Sequence, residues 1–473
     1  MTSPNSRSED LTVLRRSAAV FFPLAVASLV GCSSAGSVLQ HVPTTNSASV
    51  RHGTSPRNGA FGKIKHVIVI IQENRSVDNL FNGFCLATSN CANTVTKDPV
   101  SGQVLVPVPL SAPYSPLHNH PNFVAEFDGG KMDGFPSNPS VCNKPGNCPY
   151  TSMAYVPATE TMLYRKLATV DGILSDMTFE AIQGPSFPSH LYAIAGQSGG
   201  WTASNHWTAS GGDGNCGPNQ PKNMPLIDMT TAYPGVNRGY YPPCVDFPTI
   251  LDALTTKGNS WKFYSGGSNF WTPTQGIQHL YNPNYQPNGN FAQDVAKGQL
   301  ADVTFVTPYL PSQSDHPGMV NNSMDGPNWV ASLVNAVGES PFWSSSAIVV
   351  YWDDWGGWFD HVLPPADHYS KPFKGSWPSW LGNPDPVEYG FRVPFMVISP
   401  YARVGVIDHT PRSFVSSLTL IEQAFQIPSM NTLDQYEPDG LDSMMNYNQN
   451  PLPYTPVGGY PVSPFSRVRS PHK

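Results

Sequence analysis

The sequence predicts an α/β domain built on a mainly parallel sheet, and three observations point there. Four short apolar, β-branched runs occur at 66–71 (HVIVII), 303–307, 347–351 (AIVVY) and 393–399, with almost no polar alternation. A strand that is apolar on both sides is covered on both sides, which is the situation inside a parallel sheet. Helical patterns lie between these runs. Residues 247–257 lead to Gly258, a natural C-cap; within 327–337, Trp329, Leu333 and Val337 recur at four-residue spacing; and Thr410-Pro411 reads as an N-cap with proline in the first helical position, opening a helix to about 425. No internal repeat and no linker interrupts residues 63–445, so one large domain accounts for this stretch.

Composition bounds the function. Only 12% of the 473 residues are charged and the net charge is −7, which gives no basic face for nucleic acid. With 49 prolines and 40 glycines beside 11% aromatic residues, the loops are long but the chain is not of the disordered class.

The amino end carries an export signal. Arg15 and Arg16 precede the uncharged stretch 17–30, which has the length of a signal-peptide core and is too short to span a bilayer. It ends in Leu29-Val30-Gly31-Cys32, which resembles a bacterial lipobox and implies a lipid-modified Cys32 as the first mature residue. Ordinary secretion with a coincidental cysteine is the competing reading. Residues 1–31 then form the signal peptide, 32–62 a Ser/Thr/Gly-rich tether, 63–445 the folded domain and 446–473 a proline-rich irregular tail. Six further cysteines fall in close pairs, 85 with 91, 142 with 148 and 216 with 244. In an oxidising compartment they predict three local disulfides, although sequence alone leaves the connectivity open.

Ligands of such sheets gather at the carboxyl ends of the strands. HVIVII runs into Gln72-Glu73-Asn74-Arg75-Ser76, AIVVY into Trp352-Asp353-Asp354-Trp355-Gly356-Gly357, and the run at 303 leads to Ser314-Asp315-His316-Pro317. Glu73, Asn74, Asp353 and Asp354 offer oxygen ligands for a divalent metal ion, and two adjacent aspartates repel unless a cation intervenes. Gly356-Gly357 allows close backbone approach. In Gln183-Gly184-Pro185-Ser186-Phe187-Pro188-Ser189-His190, Ser186 stands where a loop turns into a helix, a favourable place for a phosphate and for a nucleophilic hydroxyl.

Together, ENRSVDNLF, GGKMDGF, GPSFPSHLY, SDHP, WDDWGGWFDHVLPP and YGFRVPFMVISPYARVG, in that order over about 63–430, resemble the bacterial phosphoesterase family of phospholipases C and metal-dependent acid phosphatases. The resemblance implies an alkaline-phosphatase-like three-layer α/β/α sandwich with long loop insertions. It implies metal ligands at Glu73, Asn74, Asp353 and Asp354, a nucleophile at Ser186 and a phosphate or leaving-group histidine at His316. A second phosphate-site histidine falls at His118, with His120 competing in register. Val77 and Ser189 depart from the family's phenylalanine and asparagine, and Ser189 is expected to alter the pocket lining. Asp360-His361 reads either as a pair orienting a ligand or as a loop hydrogen bond, His279 as an exposed loop histidine, and Trp352, Trp355 and Trp358 as loop packing.

The expected activity is metal-dependent hydrolysis of phosphoric esters, phospholipase C-like, with phospholipid among the substrates and the membrane reached through lipid on Cys32. An acid phosphatase of soluble monoesters is the alternative within enzymes; an inactive surface lipoprotein that binds phosphorylated ligands is the alternative outside them. From the lipobox, Cys32→Ser is expected to move the protein from the membrane to the soluble fraction with its specific activity intact, as fractionation and assay would show; mature wild-type protein that is soluble and cleaved elsewhere contradicts it.

Overall fold

A computed structural model describes residues 59–142, 151–198, 216–218, 224–228, 236–241, 243–267, 272–282, 284–309, 311–365, 389–437 and 439–458. The expected signal peptide, Cys32, most of the expected tether and Cys148 lie outside the described residues. The chain separates into units Met1–Ser55 and Pro56–Lys473, and every described residue belongs to the second.

Its frame is an eight-stranded sheet: β1 (His66–Gln72), β2 (Gly172–Ser175), β3 (Trp261–Ser265), β4 (Gln286–Pro287), β5 (Val303–Val306), β6 (Ser346–Trp352), β7 (Phe395–Ile398) and β8 (Ile407–Asp408). Across the sheet they run β4-β3-β5-β1-β6-β7-β2-β8. β1 lies parallel between β5 and β6, β3 and β4 continue parallel beyond β5, and β2 and β8 are parallel to each other. The four apolar runs are all strands, but one expectation is corrected. β7, read from 393–399 as a parallel strand, is antiparallel to both β6 and β2. Its residues are buried on both faces, and burial alone writes the same apolar run for either direction.

The helices are α1 (Val77–Leu80), α2 (His120–Phe127), α3 (Met162–Val170), α4 (Ser186–Ala195), α5 (Ile250–Lys257), α6 (Phe291–Ala296), α7 (Asp325–Gly338) and α8 (Ser416–Phe425). α3, α6 and α7 pack in one group, α4, α5 and α8 in another. With every residue of β5 and β6 buried, the sheet lies between them as the middle of three layers. α5 has a capping box between Thr249 and Asp252 and ends at Gly258 in the left-handed conformation, as the sequence predicts. The helix expected from Thr410-Pro411 starts later, at Ser416, because Arg412 and Ser413 first pair with Thr178 and Phe179.

Residues 446–458 form neither helix nor strand, yet they are tied down. Asn446 N donates to Tyr401 O at 2.7 Å, Trp343 Nε1 to Leu452 O at 2.8 Å, and Tyr454 OH to Asn335 Oδ1 at 2.6 Å. Cys85–Cys91 and Cys216–Cys244 are disulfides, and Cys142 is disulfide-bonded. Among the described residues no helix is long and apolar enough to cross a membrane.

Loops beyond the sheet are fixed by a buried ion network. Arg392 donates Nε to Asp360 Oδ1 at 2.8 Å and Nη2 to Asp360 Oδ2 at 3.0 Å and to Asp78 Oδ2 at 3.2 Å, with all three side chains fully buried. Burial opposes the Arg392 charge, but Asp360 and Asp78 outweigh it and hold its pKa above the ordinary guanidinium value. His361 joins through Nδ1 to Asp78 Oδ2 at 2.6 Å, so Asp360-His361 is a loop-stabilising pair. Arg392→Met should strand two buried carboxylates and cost about 3–5 kcal/mol, read as a lower urea midpoint at unchanged slope.

Candidate active site

Parallel pairing brings the site together. Gln72 on β1 lies opposite Trp352 on β6, and Asp353 N donates to Gln72 O at 3.0 Å, so both strands end at the same level. The next residues, Glu73-Asn74 and Asp353-Asp354, therefore meet, and all four are buried. Asn74 takes the left-handed region at φ 61°, which asparagine tolerates better than most residues. In that conformation its backbone N–H donates to Asp353 Oδ1 at 3.0 Å, and its Nδ2 donates to Asp354 Oδ2 at 2.5 Å and to Ser186 Oγ at 3.0 Å. Gly356 and Gly357 also have positive φ, and a Cβ on Gly356 would lie 2.1 Å from Asn74 O.

Ser186 is the first residue of α4, preceded by Pro185 in extended conformation. Its hydroxyl donates to Asp354 Oδ2 at 2.9 Å while receiving the Asn74 amide. One helical turn on, at i+4 and hence on the same face, His190 Nε2 stands 3.1 Å from Glu73 Oε1 and 3.3 Å from Asp353 Oδ2. The four expected metal ligands thus divide. Glu73 and Asp353 converge with His190, where one ligand atom from each lies within 4.8 Å of the others. Asn74 and Asp354 converge instead on Ser186. His190 was not read from the sequence as a site residue, although its spacing from Ser186 carries the signal. Ser189, expected in the pocket lining, is buried and donates Oγ to Asp353 O at 2.7 Å, because a side chain this short reaches only the adjacent backbone.

The electrostatics ask for positive charge. Burial first, and then Asp353, pushes the Glu73 and Asp354 carboxyls well above the usual range. Burial acts on Asp353 too, but the His190 hydrogen bond and charge outweigh it and hold Asp353 below its ordinary value. Glu73 Oε2 and Asn74 Oδ1 are buried without a hydrogen-bond donor, and Glu73 Oε1 meets only the His190 ring. A buried imidazole with two carboxylates and an amide oxygen is a donor set that fits a divalent cation, which would reverse these shifts.

His118 and His316 stand edge to face with ring centroids 5.5 Å apart. Each places Nδ1 2.8 Å from a backbone carbonyl, Pro116 O and Pro317 O respectively. A carbonyl only accepts, so Nδ1 carries the proton and Nε2 is the basic nitrogen of the neutral ring. Burial lowers the His118 pKa, and burial followed by repulsion from His118 lowers His316 to about 3. His120 sets Nδ1 2.7 Å from Gln183 O and stacks on Phe123, so His118 is the residue paired with His316. His279, 37% exposed, is held between Asp246 and Asp252 in a separate cluster. The three tryptophans are buried: Trp352 Nε1 donates to Asp315 Oδ2 at 3.1 Å, Trp355 Nε1 to Glu126 Oε2 at 2.8 Å, and Trp358 lies under the Arg75 guanidinium.

The Phosphoesterase family model matches residues 64–428 and so spans this whole arrangement. The chain belongs to the Phosphoesterase family. Its activity class is therefore phosphoric ester hydrolysis. Phospholipase C A of Mycobacterium tuberculosis is 25% identical over 434 residues, covering 80% of this phosphoesterase and 76% of the relative. Non-specific phospholipase C6 of Arabidopsis thaliana is 24% identical over 372 residues, covering 73% and 63%. A solved alkaline phosphatase superfamily protein from Vibrio parahaemolyticus aligns over 80% of this chain and 72% of its own at 11% identity, with a TM-score of 0.35.

The close approach at Gly356 gives a test of site geometry. Gly356→Ala puts a methyl against Asn74 O and should lower turnover by about 100-fold, the scale of an ångström-level displacement. Gly405→Ala carries a similar positive-φ cost, at φ 82°, with nothing within 4 Å of the new Cβ, and should leave turnover unchanged. Equal activities in steady-state assays would contradict the reading.

Proposed function

We propose that this phosphoesterase is an exported, lipid-anchored, metal-dependent phospholipase C-like hydrolase that uses Ser186 as its nucleophile. The observation that carries the reading is the Ser186 hydroxyl at the start of a ten-residue helix, bonded to Asn74 and Asp354, one turn from the Glu73/His190/Asp353 cluster. Export and anchoring rest on the LVGC motif at 29–32 and on the disulfides, which belong to chains that fold in oxidising compartments. The phospholipase C names of the relatives favour a phosphodiester of lipid type over a soluble monoester.

Glu73, Asp353 and His190, with Asn74 and Asp354 beside them, would hold the cation. Such an ion supplies Lewis-acid stabilisation of the charge that develops on oxygen during transfer. The chain's own residues do the rest. Asp354 Oδ2 receives the hydroxyl proton of Ser186, and Asn74 Nδ2 engages one lone pair of Oγ, which orients the other toward phosphorus. Oγ bonds to phosphorus as the bond to the leaving alcohol breaks, giving a phosphorylated serine; a diester leaves its remaining alcohol attached to that phosphorus. The transferred group would lie at the start of α4, where the N–H groups of Ser186 and Phe187 open the helix and its terminus favours negative charge. His118 and His316 are neutral before substrate arrives. An anionic phosphate favours their protonated forms, and the protonated Nε2 of His316 then donates to the departing alcohol oxygen. Water then attacks the phosphorus and gives a proton to the now neutral Nε2 of His316 as the bond from phosphorus to Oγ breaks; Asp354 returns its proton to Oγ, and the phosphate product leaves.

Ser186→Ala should retain fold and bound metal but lose nearly all turnover, at least about 1,000-fold, while quenched wild-type enzyme should carry on Ser186 a phosphate from a monoester, or a phosphate still bearing its remaining alcohol from a diester. Chelation should abolish hydrolysis and metal add-back restore it. Phosphatidylcholine, phosphodiesters and phosphomonoesters assayed side by side identify the substrate class. Wild-type rates from Ser186→Ala would overturn the covalent route, and full activity in a demonstrably metal-free preparation would overturn the metal assignment.

A further inference from the structure

The loop that carries His316 is held by residues of the metal-ligand loop rather than by its own strand. Gln72, the last residue of β1, grips it at two points: Nε2 donates to Gln313 O at 2.7 Å, and Oε1 accepts from Asp315 N at 3.0 Å. Arg75 grips a third point twice, with Nε and Nη2 donating to Asp315 O at 2.9 and 2.8 Å. The other Arg75 donors go to Leu110 O at 2.9 Å and Asn79 Oδ1 at 3.3 Å, and the guanidinium lies over the Trp358 ring at 5.1 Å. Arg75 and Gln72 are both fully buried.

This use of an arginine is costly and therefore informative. Burying a guanidinium without a carboxylate bonded to it is unfavourable, and burial lowers the Arg75 pKa to about 10. The fork could have met the Asp315 carboxylate, but Asp315 Oδ2 is taken by Tyr164 OH at 2.7 Å and Trp352 Nε1 at 3.1 Å. Arg75 instead closes on the carbonyl immediately before His316. Every peptide group flanking Ser314 and Asp315 is thus pinned to the loop holding Glu73 and Asn74. Only the next residue projects toward His118 and the site.

We infer that Arg75, assisted by Gln72, is a positioning residue that sets the place and angle of the His316 imidazole relative to the phosphoryl group. The inference rests on the proposed role of His316 at the leaving alcohol. Arg75→Lys keeps the charge but cannot close two donors on one carbonyl, so it loosens the loop without changing the local field by a unit. Gln72→Met removes the other two grips while staying neutral and of similar length.

The test is a double-mutant cycle with His316→Asn. It uses 4-nitrophenyl phosphorylcholine, whose phenol leaves without help, and short-chain phosphatidylcholine, whose alcohol needs a proton. Metal content and thermal midpoint are measured for each variant. Arg75→Lys is expected to lower kcat on phosphatidylcholine by about 10-fold or more, with little change in KM and a smaller loss on the nitrophenyl ester. In the His316→Asn background the same substitution should cost less than about 2-fold, because residues acting through one group are not additive. Gln72→Met should repeat this pattern, and it decides the matter if Arg75→Lys does not fold. An equal loss in both backgrounds, or equal losses on the two esters, overturns the positioning role while leaving His316 in place. A His316→Asn enzyme with wild-type kcat on both esters overturns the leaving-group reading itself, and the positioning role with it.

Discussion

The constraint on which the rest depends is the parallel register of β1 and β6. Residue 72 opposite residue 352 makes two central strands end at one height. The pairs that follow them, Glu73-Asn74 and Asp353-Asp354, are then forced into one small buried volume. A one-residue slip would turn the pleat over and point each pair to the opposite face. The slip is prevented from within: both strands are buried on both faces, and Asp353 N continues the ladder to Gln72 O. The apolar core therefore sets the geometry of a polar site that by itself would fly apart.

That site and its surroundings handle buried charge in two different ways. Around Arg392, two aspartates share one guanidinium supplied by the protein itself, and Arg392 is held charged. Around Glu73, Asp353 and Asp354 no lysine or arginine is bonded among the described residues, and two of the three carboxyls are driven toward their neutral forms. Arg75 lies next in sequence to Asn74, yet its fork is spent on carbonyls and an amide oxygen. A structural ion network is closed; this one is open to a cation, and that contrast separates scaffold from site more clearly than burial does.

Much of this was legible in the sequence because the sheet writes itself as apolar runs. The central strands and the residues after β1 and β6 follow from composition and chain order alone. Direction did not, since β7 is as apolar as its parallel neighbours. The edge strands β4 and β8 are only two residues each, below what periodicity can report. The start of α8 was misplaced because Thr410-Pro411 carries a strong local helix signal that strand pairing at Arg412 overrides. Within the candidate site, the residues singled out by their chemistry lie together. His190 was hidden by lying inside an apolar helix, and Gln72 and Arg75 because their work is done on backbone groups, which no sequence pattern displays.

Asn74 shows why the site behaves as a unit. Its backbone N–H touches one aspartate of the adjacent pair, its side-chain amide touches the other, and the same amide reaches the serine. Only a residue with φ near 61° can point its N–H and its side chain at neighbours 353 and 354 together. The required turn in the chain is packed against Gly356, which leaves no room for a side chain there. An aspartate in place of Asn74 would keep the turn but add a fourth buried acid and remove the donor shared by Ser186 and Asp354. A leucine would lose both bonds and resist the left-handed conformation. The amide is thus selected jointly by backbone conformation, by charge and by the need for a donor beside a hydroxyl. The Glu73 and Asp353 carboxylates that converge on His190 and the Asp354 carboxylate bonded to Ser186 are joined through that single residue, by its backbone N–H on one side and its side-chain amide on the other.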